Sequence, residues 1–319
     1  MPKPPSCPTT FRAIRIIGDW RRSGLATVMP TLIGFVAGIA LTRAYATATI
    51  ESALFTDTSS FAVWSILVGF ECALWLNIWI GLQPVNTQIK EKLINSPFLP
   101  SLLILLLFAL LIRVALYFYP SIDSPLYGQF FRSQILHLGT FAALLPGALG
   151  AWRIRVWLNQ FKDEGAPDAI DSRAGPILSD LLFAGRALQQ FLLFSSAVVV
   201  VAVLRVGAFR NAFLDYTARA DAFSVDLLLL YGLLFTIVLS FIYLPILARL
   251  AECKRQVRET LYPMPDDGRP NEDWYNARDR LGQLLQISRN PIEKIQSTLP
   301  IFGPLLGSIL ALFLPGIGI

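Results

Sequence analysis

The sequence is poor in the residues from which most catalytic and metal sites are built. It contains one histidine, His137, and three cysteines with no CxxC spacing. A zinc site made of several histidines is therefore excluded, and the scattered cysteines do not indicate a disulfide framework. A P-loop, a dinucleotide-binding glycine fingerprint, an HExxH motif and a nucleophile elbow are also missing. We therefore predict a protein that is not an enzyme and that carries no metal and no cofactor.

Charged residues are scarce as well. Only 15% of the residues are charged and 54% are hydrophobic, whereas soluble domains average about 25% charged residues. The mean hydropathy of +0.55 indicates that much of the apolar surface faces lipid. The isoelectric point near 9.2 is typical of basic cytoplasmic loops in a membrane protein, so no nucleic-acid partner is predicted. Composition thus predicts an all-α, polytopic membrane helix bundle in a lipid bilayer.

Long apolar runs locate the membrane-spanning helices. A helix needs about 20 mostly apolar residues to cross a bilayer. Six runs meet this requirement: Leu25–Leu41, Phe61–Leu82, Pro97–Tyr119, Gln134–Leu158, Asp180–Val206 and Phe223–Leu250. A seventh apolar stretch, Leu299–Ile319, contains three prolines and four glycines. It is open whether this stretch is a seventh span, a re-entrant hairpin or a partly buried plug.

Four parts of the chain follow from these runs. Residues 1–24 form a basic N-terminal tail, 25–250 the six-span bundle, 251–298 a small cytoplasmic helical region, and 299–319 a membrane-embedded segment. The cytoplasmic region contains an amphipathic helix, around NEDWYNARDRLGQLLQIS, because its apolar residues recur at three- and four-residue spacing. A second, short helix is predicted to start at Asn290-Pro291.

Positive charge predicts the orientation. Most of the 27 Lys and Arg residues lie in the N-terminal tail, in the even-numbered loops and after the sixth span, and only five lie on the opposite side: Arg43, Arg132, Arg205, Arg210 and Arg219. Since cytoplasmic loops carry an excess of Lys and Arg, we expect a cytoplasmic N-terminus. The sequence contains no Asn-x-Ser/Thr sequon, which is consistent with a bacterial inner membrane.

Glu71 lies near the middle of the second apolar run. A charge at the membrane midplane costs at least about 2.5–3.5 kcal/mol on insertion scales, so such a residue is usually paired, protonated or in contact with water. In the fifth span, Arg186, Gln189 and Gln190 share one helical face, and we expect Arg186 or a glutamine to satisfy the Glu71 carboxylate. With Asn77, nearer the cytoplasmic end of the second span, these residues form a predicted polar pathway.

A second polar group is expected in the outer half of the membrane. Arg113 in the third span and Asp226 near the outer end of the sixth are predicted to form a buried ion pair, with His137 nearby. Each of these residues also has a purely structural interpretation, because buried pairs often only fix the helix register.

Small residues predict close helix packing. Gly34 and Gly38 form a GxxxG motif in the first span, Gly147 continues a small-residue face in the fourth, and Gly303 and Gly307 are four residues apart in the C-terminal stretch. Pro146 would kink the fourth span unless neighbouring groups satisfy the carbonyl that it frees.

Two functions remain open, and they belong to different classes. The first is a channel or transporter for an ion or small solute, acting as a homo-oligomer in the plasma membrane, with Glu71 facing the pathway. The second is a membrane-anchored signalling or effector subunit whose cytoplasmic helices bind a protein partner. An intramembrane enzyme ranks third, because one histidine and dispersed acids do not provide a catalytic cluster.

Overall fold

A computed structural model describes residues 24–93, 106, 125–164, 174–217, 224–265, 268, 270–287 and 298–313. The described elements are all helical, and no strand occurs among them. The α-helices are α1 Gly24–Arg43, α2 Ile50–Thr56, α3 Ser59–Lys92, α4 Gln129–Glu164, α5 Ala174–Thr217, α6 Val225–Leu261, α7 Glu272–Leu284 and α8 Gly303–Leu312. A 3-10 turn, Leu299–Phe302, leads directly into α8.

Four of these helices are long and apolar enough to cross a membrane. They are α3, α4, α5 and α6, whose apolar spans are Ser59–Glu91, Gln129–Gln160, Ala174–Thr217 and Val225–Leu261. Two shorter apolar helices, Val28–Arg43 and Leu299–Leu312, accompany them. The predicted third span, Pro97–Tyr119, lies outside the described residues apart from one position. The described part thus forms an all-helical bundle with four long apolar helices. That the whole chain crosses the membrane six or seven times stays a prediction.

The helices extend well beyond the apolar runs that predicted them. The fifth run was predicted as Asp180–Val206, whereas α5 covers Ala174–Thr217. An apolar run marks the part of a helix that has few polar residues, but backbone hydrogen bonds continue wherever the next residues tolerate a helix. The short helix α2 was not predicted at all. Its start is visible locally, because the Thr49 side chain accepts a hydrogen bond from the Ser52 amide at 3.1 Å.

Helices α1 and α3 pack closely because both carry glycine at the contact. A Cβ atom at Gly34 would lie 2.6 Å from Ala73 Cα, and one at Gly38 would lie 2.7 Å from Gly69 Cα. Only hydrogen fits at these two positions, so the GxxxG motif of α1 faces α3. The pairing of Gly34 with Ala73 and of Gly38 with Gly69 shows that the two helices run antiparallel.

Helix α5 lies at the centre of the bundle. Most of its surface is buried, and it packs against α3, α4, α6 and α8. Phe191 and Leu192 belong to one apolar cluster, Phe209 and Phe213 to a second, and Val199 and Val203 to a third. A polar side chain on the buried side of this helix, such as Arg205, lies inside the protein, whereas the side that carries Arg186 and Gln189 is exposed.

The C-terminal segment packs into the bundle of the same chain. Gly303 lies against the Ser196 hydroxyl of α5, and a Cβ atom at Gly307 would lie 3.3 Å from Val200 Cγ1. The Ser196 hydroxyl also donates a hydrogen bond to the Pro300 carbonyl oxygen at 2.5 Å. On the other side, Gly232 of α6 allows the Pro304 carbonyl to approach. The described part of this stretch is therefore a short wedge between α5 and α6, with one side buried and the other exposed, and residues 314–319 lie outside the described range.

The amphipathic helix α7 is attached to the end of α6. The Trp274 indole nitrogen donates to the Pro263 carbonyl oxygen and the Arg278 guanidinium donates to that of Tyr262, both at 2.9 Å. The Arg278 guanidinium also lies over the Trp274 ring, 4.8 Å from its centroid. These contacts hold α7 beside the C-terminal end of α6, while Tyr275 remains exposed.

Candidate functional site: a buried ion pair

Glu71 is completely buried and is paired with Arg205. Its Oε2 atom lies 2.6 Å from the Nε atom of Arg205, and both side chains are shielded from solvent. Its Oε1 atom accepts a hydrogen bond from the Thr140 hydroxyl at 2.5 Å. The acid comes from α3, the base from α5 and the hydroxyl from α4. The carboxylate that the sequence singled out is thus neutralised by a residue that the sequence did not assign to it.

The register of α3 against α5 explains why these two residues meet. The Ser60 hydroxyl donates a hydrogen bond to the Asp215 carboxylate near the end of the same helix pair. Moving about three turns forward along α3 and three turns back along α5 leads to Glu71 and Arg205. Because the two helices are antiparallel, the register that joins Ser60 to Asp215 also places Glu71 opposite Arg205.

Further polar groups surround the pair. The Tyr231 phenol of α6 is buried and interacts electrostatically with both Arg205 and Glu71. Within the described part of the chain, the Tyr231 hydroxyl and the Arg205 Nη2 atom have no hydrogen-bond partner. Trp75, one turn after Glu71, also buries an indole nitrogen for which none is found there. Four helices therefore each contribute a polar group to one buried centre: Glu71 from α3, Thr140 from α4, Arg205 from α5 and Tyr231 from α6.

His137 lies beside this centre but is satisfied by its own helix. Its Nδ1 atom is 2.6 Å from the Ser133 carbonyl oxygen, which can only accept, so the proton is on Nδ1. The imidazole contacts the Tyr231 ring edge to face, with 6.2 Å between the ring centroids. Asp226 is exposed in the first turn of α6, and Arg113 lies outside the described residues. The predicted pair between Arg113 and Asp226 therefore stays a prediction.

The polar stripe of α5 does not reach Glu71. Arg186 and Gln189 are exposed, and Gln190 is partly exposed. Arg186 lies about 28 Å along the helix from Arg205, at a rise of about 1.5 Å per residue. The expectation that Arg186 or a glutamine pairs with Glu71 was wrong, because α5 is longer than its apolar run and the stripe lies near its other end.

Asn77 faces a different helix from Glu71. Its side-chain amide donates to the Thr31 hydroxyl of α1 at 3.0 Å and to the Ala73 carbonyl oxygen at 2.7 Å. It therefore helps to join α1 to α3. The five residues predicted to line one pathway are not brought together, and only Glu71 lies in the buried centre.

A second polar contact, separate from the Glu71–Arg205 pair, lies beside Gly147 of α4. The Ser195 and Tyr243 hydroxyls are 2.9 Å apart, and a Cβ atom at Gly147 would lie 2.9 Å from the Ser195 oxygen. The Asn86 amide donates to the Pro146 carbonyl oxygen at 3.0 Å. Helix α4 continues through Pro146, so this proline does not end the helix. These contacts fix α4 against α3, α5 and α6.

Charge counting missed the buried arginines. It placed Arg205 and Arg132 outside the membrane, because each lies near the edge of an apolar run. The Arg132 guanidinium is in fact buried and donates to the carbonyl oxygens of Leu41, Ala44 and Tyr127, which caps the end of α1. The available signal was the apolar sequence on both sides of Arg205, VVVVAVLRVGAF, which continues the helix past it.

No known family model matches this sequence, and neither a curated protein nor a solved structure is similar to the chain. The function is therefore argued from the Glu71–Arg205 pair and from the groups around it.

Proposed function

We propose that the protein transports an ion or small solute across a membrane and that the Glu71–Arg205 pair is the central point of the route. The observation that carries this proposal is the convergence of polar groups from α3, α4, α5 and α6 on one buried centre. Two of these groups, the Tyr231 hydroxyl and Arg205 Nη2, have unused hydrogen-bonding capacity within the described residues. A centre that several helices share changes whenever those helices move.

The energetic cost of the pair supports a functional role. Replacing a buried ion pair by apolar residues of similar volume is often neutral or stabilises a protein by about 1–4 kcal/mol. Stability alone therefore gives little reason to keep Glu71 and Arg205 in an apolar core. Ionisable residues inside membrane bundles most often serve substrate, ion or proton pathways.

The burial of Glu71 favours a transporter over a continuously open channel. The Glu71 side chain has no exposed surface, so a solute reaches it only after the helices separate. The described arrangement would then be an occluded state. Helices α4 and α5 each contact all of the other three long helices, so a movement of either would change the whole centre.

Flux in reconstituted vesicles tests the proposal. The set comprises the wild type, Glu71→Gln, Arg205→Gln and, as a control, Glu252→Gln, which removes an exposed carboxylate on α6. The two core variants should lose flux or change its selectivity, whereas the control should match the wild type. Equal flux, selectivity and pH dependence in Glu71→Gln would show that the pair is structural.

A signalling or effector role is the second candidate. Helix α7 is held to the end of α6, and α6 also carries Tyr231 of the buried centre, so movement in the membrane would reach the amphipathic helix. Trp274→Ala removes the contacts of the indole with Pro263 and Arg278. This variant should keep its flux if the protein is a transporter, and it should lose binding of a protein partner if α7 is an output surface.

Location and assembly belong to the same proposal. We place the protein in the plasma membrane of a bacterium, with the N-terminus in the cytoplasm, as a homo-oligomer. The supports are the four long apolar helices and the distribution of Lys and Arg.

A further inference from the structure

We infer that Arg205 and Tyr231 form a binding site for a small monovalent anion, which opens when Glu71 takes up a proton. The inference rests on the proposed transport function for its role in the cell. The site itself is argued from the contacts of the buried centre, and its test is a binding measurement that needs no flux.

The first support is the unused hydrogen-bond donors. A guanidinium has five N–H donors and no acceptor. In Arg205 the Nε atom faces the Glu71 carboxylate, while Nη2 is buried without a hydrogen-bond partner among the described residues. The Tyr231 hydroxyl is also buried without a hydrogen-bond partner among the described residues, and it interacts electrostatically with Arg205 and Glu71. The two groups are buried donors on different helices, and the proposed anion would accept from both in place of the carboxylate.

The second support is the Thr140 hydroxyl, which suits both protonation states of Glu71. Its oxygen lies 2.5 Å from Glu71 Oε1 and 2.8 Å from the Leu136 carbonyl oxygen. It has one proton for two acceptors. When Glu71 is protonated, the acid can donate to Thr140 while Thr140 donates to Leu136, so every acceptor has its own proton. The neutral acid therefore has a hydrogen-bond partner other than Arg205.

The third support is charge balance. A buried centre in an apolar bundle is stable only when its net charge is close to zero. The present pair satisfies this with one carboxylate and one guanidinium. A proton on Glu71 leaves Arg205 uncompensated, and one bound monovalent anion restores neutrality. A divalent anion would leave one negative charge, and a cation bound at Glu71 would leave Arg205 unpaired. A neutral centre therefore requires that one proton on Glu71 and one monovalent anion at Arg205 bind together.

Other titratable groups could imitate this response and have to be controlled. The charged or titratable groups on the described helices around α3 include Arg205 and Asp215 of α5, Tyr231 of α6, His137 of α4, Cys72 of α3 itself and Arg43 of α1; of these, Asp215 is a second carboxylate, and it accepts a hydrogen bond from Ser60. Arg43 lies over the Phe61 ring, at the outer end of α3. His137 is the group that ordinarily titrates near neutral pH, so it needs its own variant.

Thermal melting of the full-length protein in detergent provides the test. Nitrate is the monovalent probe, and sulfate at matched ionic strength is the divalent control. We expect nitrate to raise the melting temperature at about pH 5 and to have much less effect at about pH 8, across the range in which carboxylic acids and histidine titrate. Sulfate should have no comparable effect at either pH.

Variants assign the response to the site. Arg205→Gln should abolish the nitrate effect, and Tyr231→Phe should weaken the apparent affinity about tenfold, as the loss of one hydrogen bond to an ion does. Glu71→Gln, which resembles the protonated acid, should respond to nitrate equally at both pH values. His137→Gln should retain the pH dependence. Arg210→Gln, a control near the outer end of the same helix, should behave like the wild type.

The outcomes separate the anion site from transport. An unchanged nitrate effect in Arg205→Gln, or a retained pH dependence in Glu71→Gln, overturns the inference. If Arg205→Gln does not fold, the double variant Glu71→Gln with Arg205→Gln provides the same test with a neutral pair, and Tyr231→Phe provides it independently. Nitrate binding without flux would keep the site and reject transport. Flux without any nitrate effect would reject the anion site alone.

Discussion

Glu71 and Arg205 meet across two antiparallel helices at the register that also joins Ser60 to Asp215. The two contacts lie about three helical turns apart, one near the helix ends and one inside the bundle. The two contacts occur at matching positions along α3 and α5, and breaking the inner one would leave a buried charge unpaired. Because both contacts depend on the same register of α3 against α5, a shift of either helix would disturb the Glu71–Arg205 pair.

The buried pair should behave differently from an exposed one in a double-mutant cycle. Removing one partner of a buried pair costs about 3–5 kcal/mol, because the other charge stays buried and unpaired. We expect Glu71→Gln and Arg205→Gln each to lower the unfolding free energy in detergent by about this amount, and the double variant to lose less than the sum. Additive losses would show that the two residues act independently.

The exposed pair of Arg255 with Glu252 is the matched control for that cycle. Its charged atoms are 2.7 Å apart, but about half of each side chain is exposed. Exposed pairs contribute about 0–1 kcal/mol, so the same substitutions at 252 and 255 should have small effects with little coupling.

Gly38 should not tolerate alanine. The added Cβ atom would lie 2.7 Å from the Gly69 backbone, so α1 and α3 would have to separate. Overpacking of this kind costs about 1–3 kcal/mol, and we expect the melting temperature of Gly38→Ala in detergent to fall accordingly. Gly175→Ala is the control, because no atom of the described residues lies within 4 Å of the added methyl group. Equal melting temperatures for the two variants would contradict the close contact.

The C-terminal wedge should contribute to stability through Gly307. In Gly307→Leu the side chain would be directed at Val200, whose Cγ1 atom would already lie 3.3 Å from a bare Cβ. The wedge should then leave its place between α5 and α6, which would lower the melting temperature or alter the size profile of the purified protein. Leu310→Ala changes the exposed side of the same helix and should have a smaller effect. Unchanged melting and size in Gly307→Leu would show that the wedge does not depend on this contact.

Cysteine labelling in intact cells tests the orientation. Ile50→Cys places a thiol at the exposed first residue of α2, and Arg255→Cys places one on the exposed face of the opposite end of the bundle. The native Cys72 and Cys253 are buried, and Cys7, which lies outside the described residues, is replaced by serine in both variants so that it gives no background. A membrane-impermeant reagent should label position 50 and should label position 255 only after lysis. The reverse pattern would overturn the proposed cytoplasmic N-terminus.

Local sequence patterns predicted the helices and several of their contacts. Apolar runs located α3 to α6, although each helix extends beyond its run at one end or both. The spacing of Gly34 and Gly38 predicted close packing, and the structure supplies the partner surface on α3. These features could be predicted because each depends on residues that are near one another along the chain.

The sequence by itself determined that Glu71 needs compensation, because a carboxylate in an apolar span is costly wherever the other helices lie. Only the tertiary structure decided that Arg205, rather than Arg186, compensates it. That choice depends on the register between α3 and α5 and on how far α5 continues past its apolar run. Both are set by contacts between residues far apart in the chain, such as Ser60 with Asp215. A pairing of this kind is a property of the packed bundle and is not encoded in either helix alone.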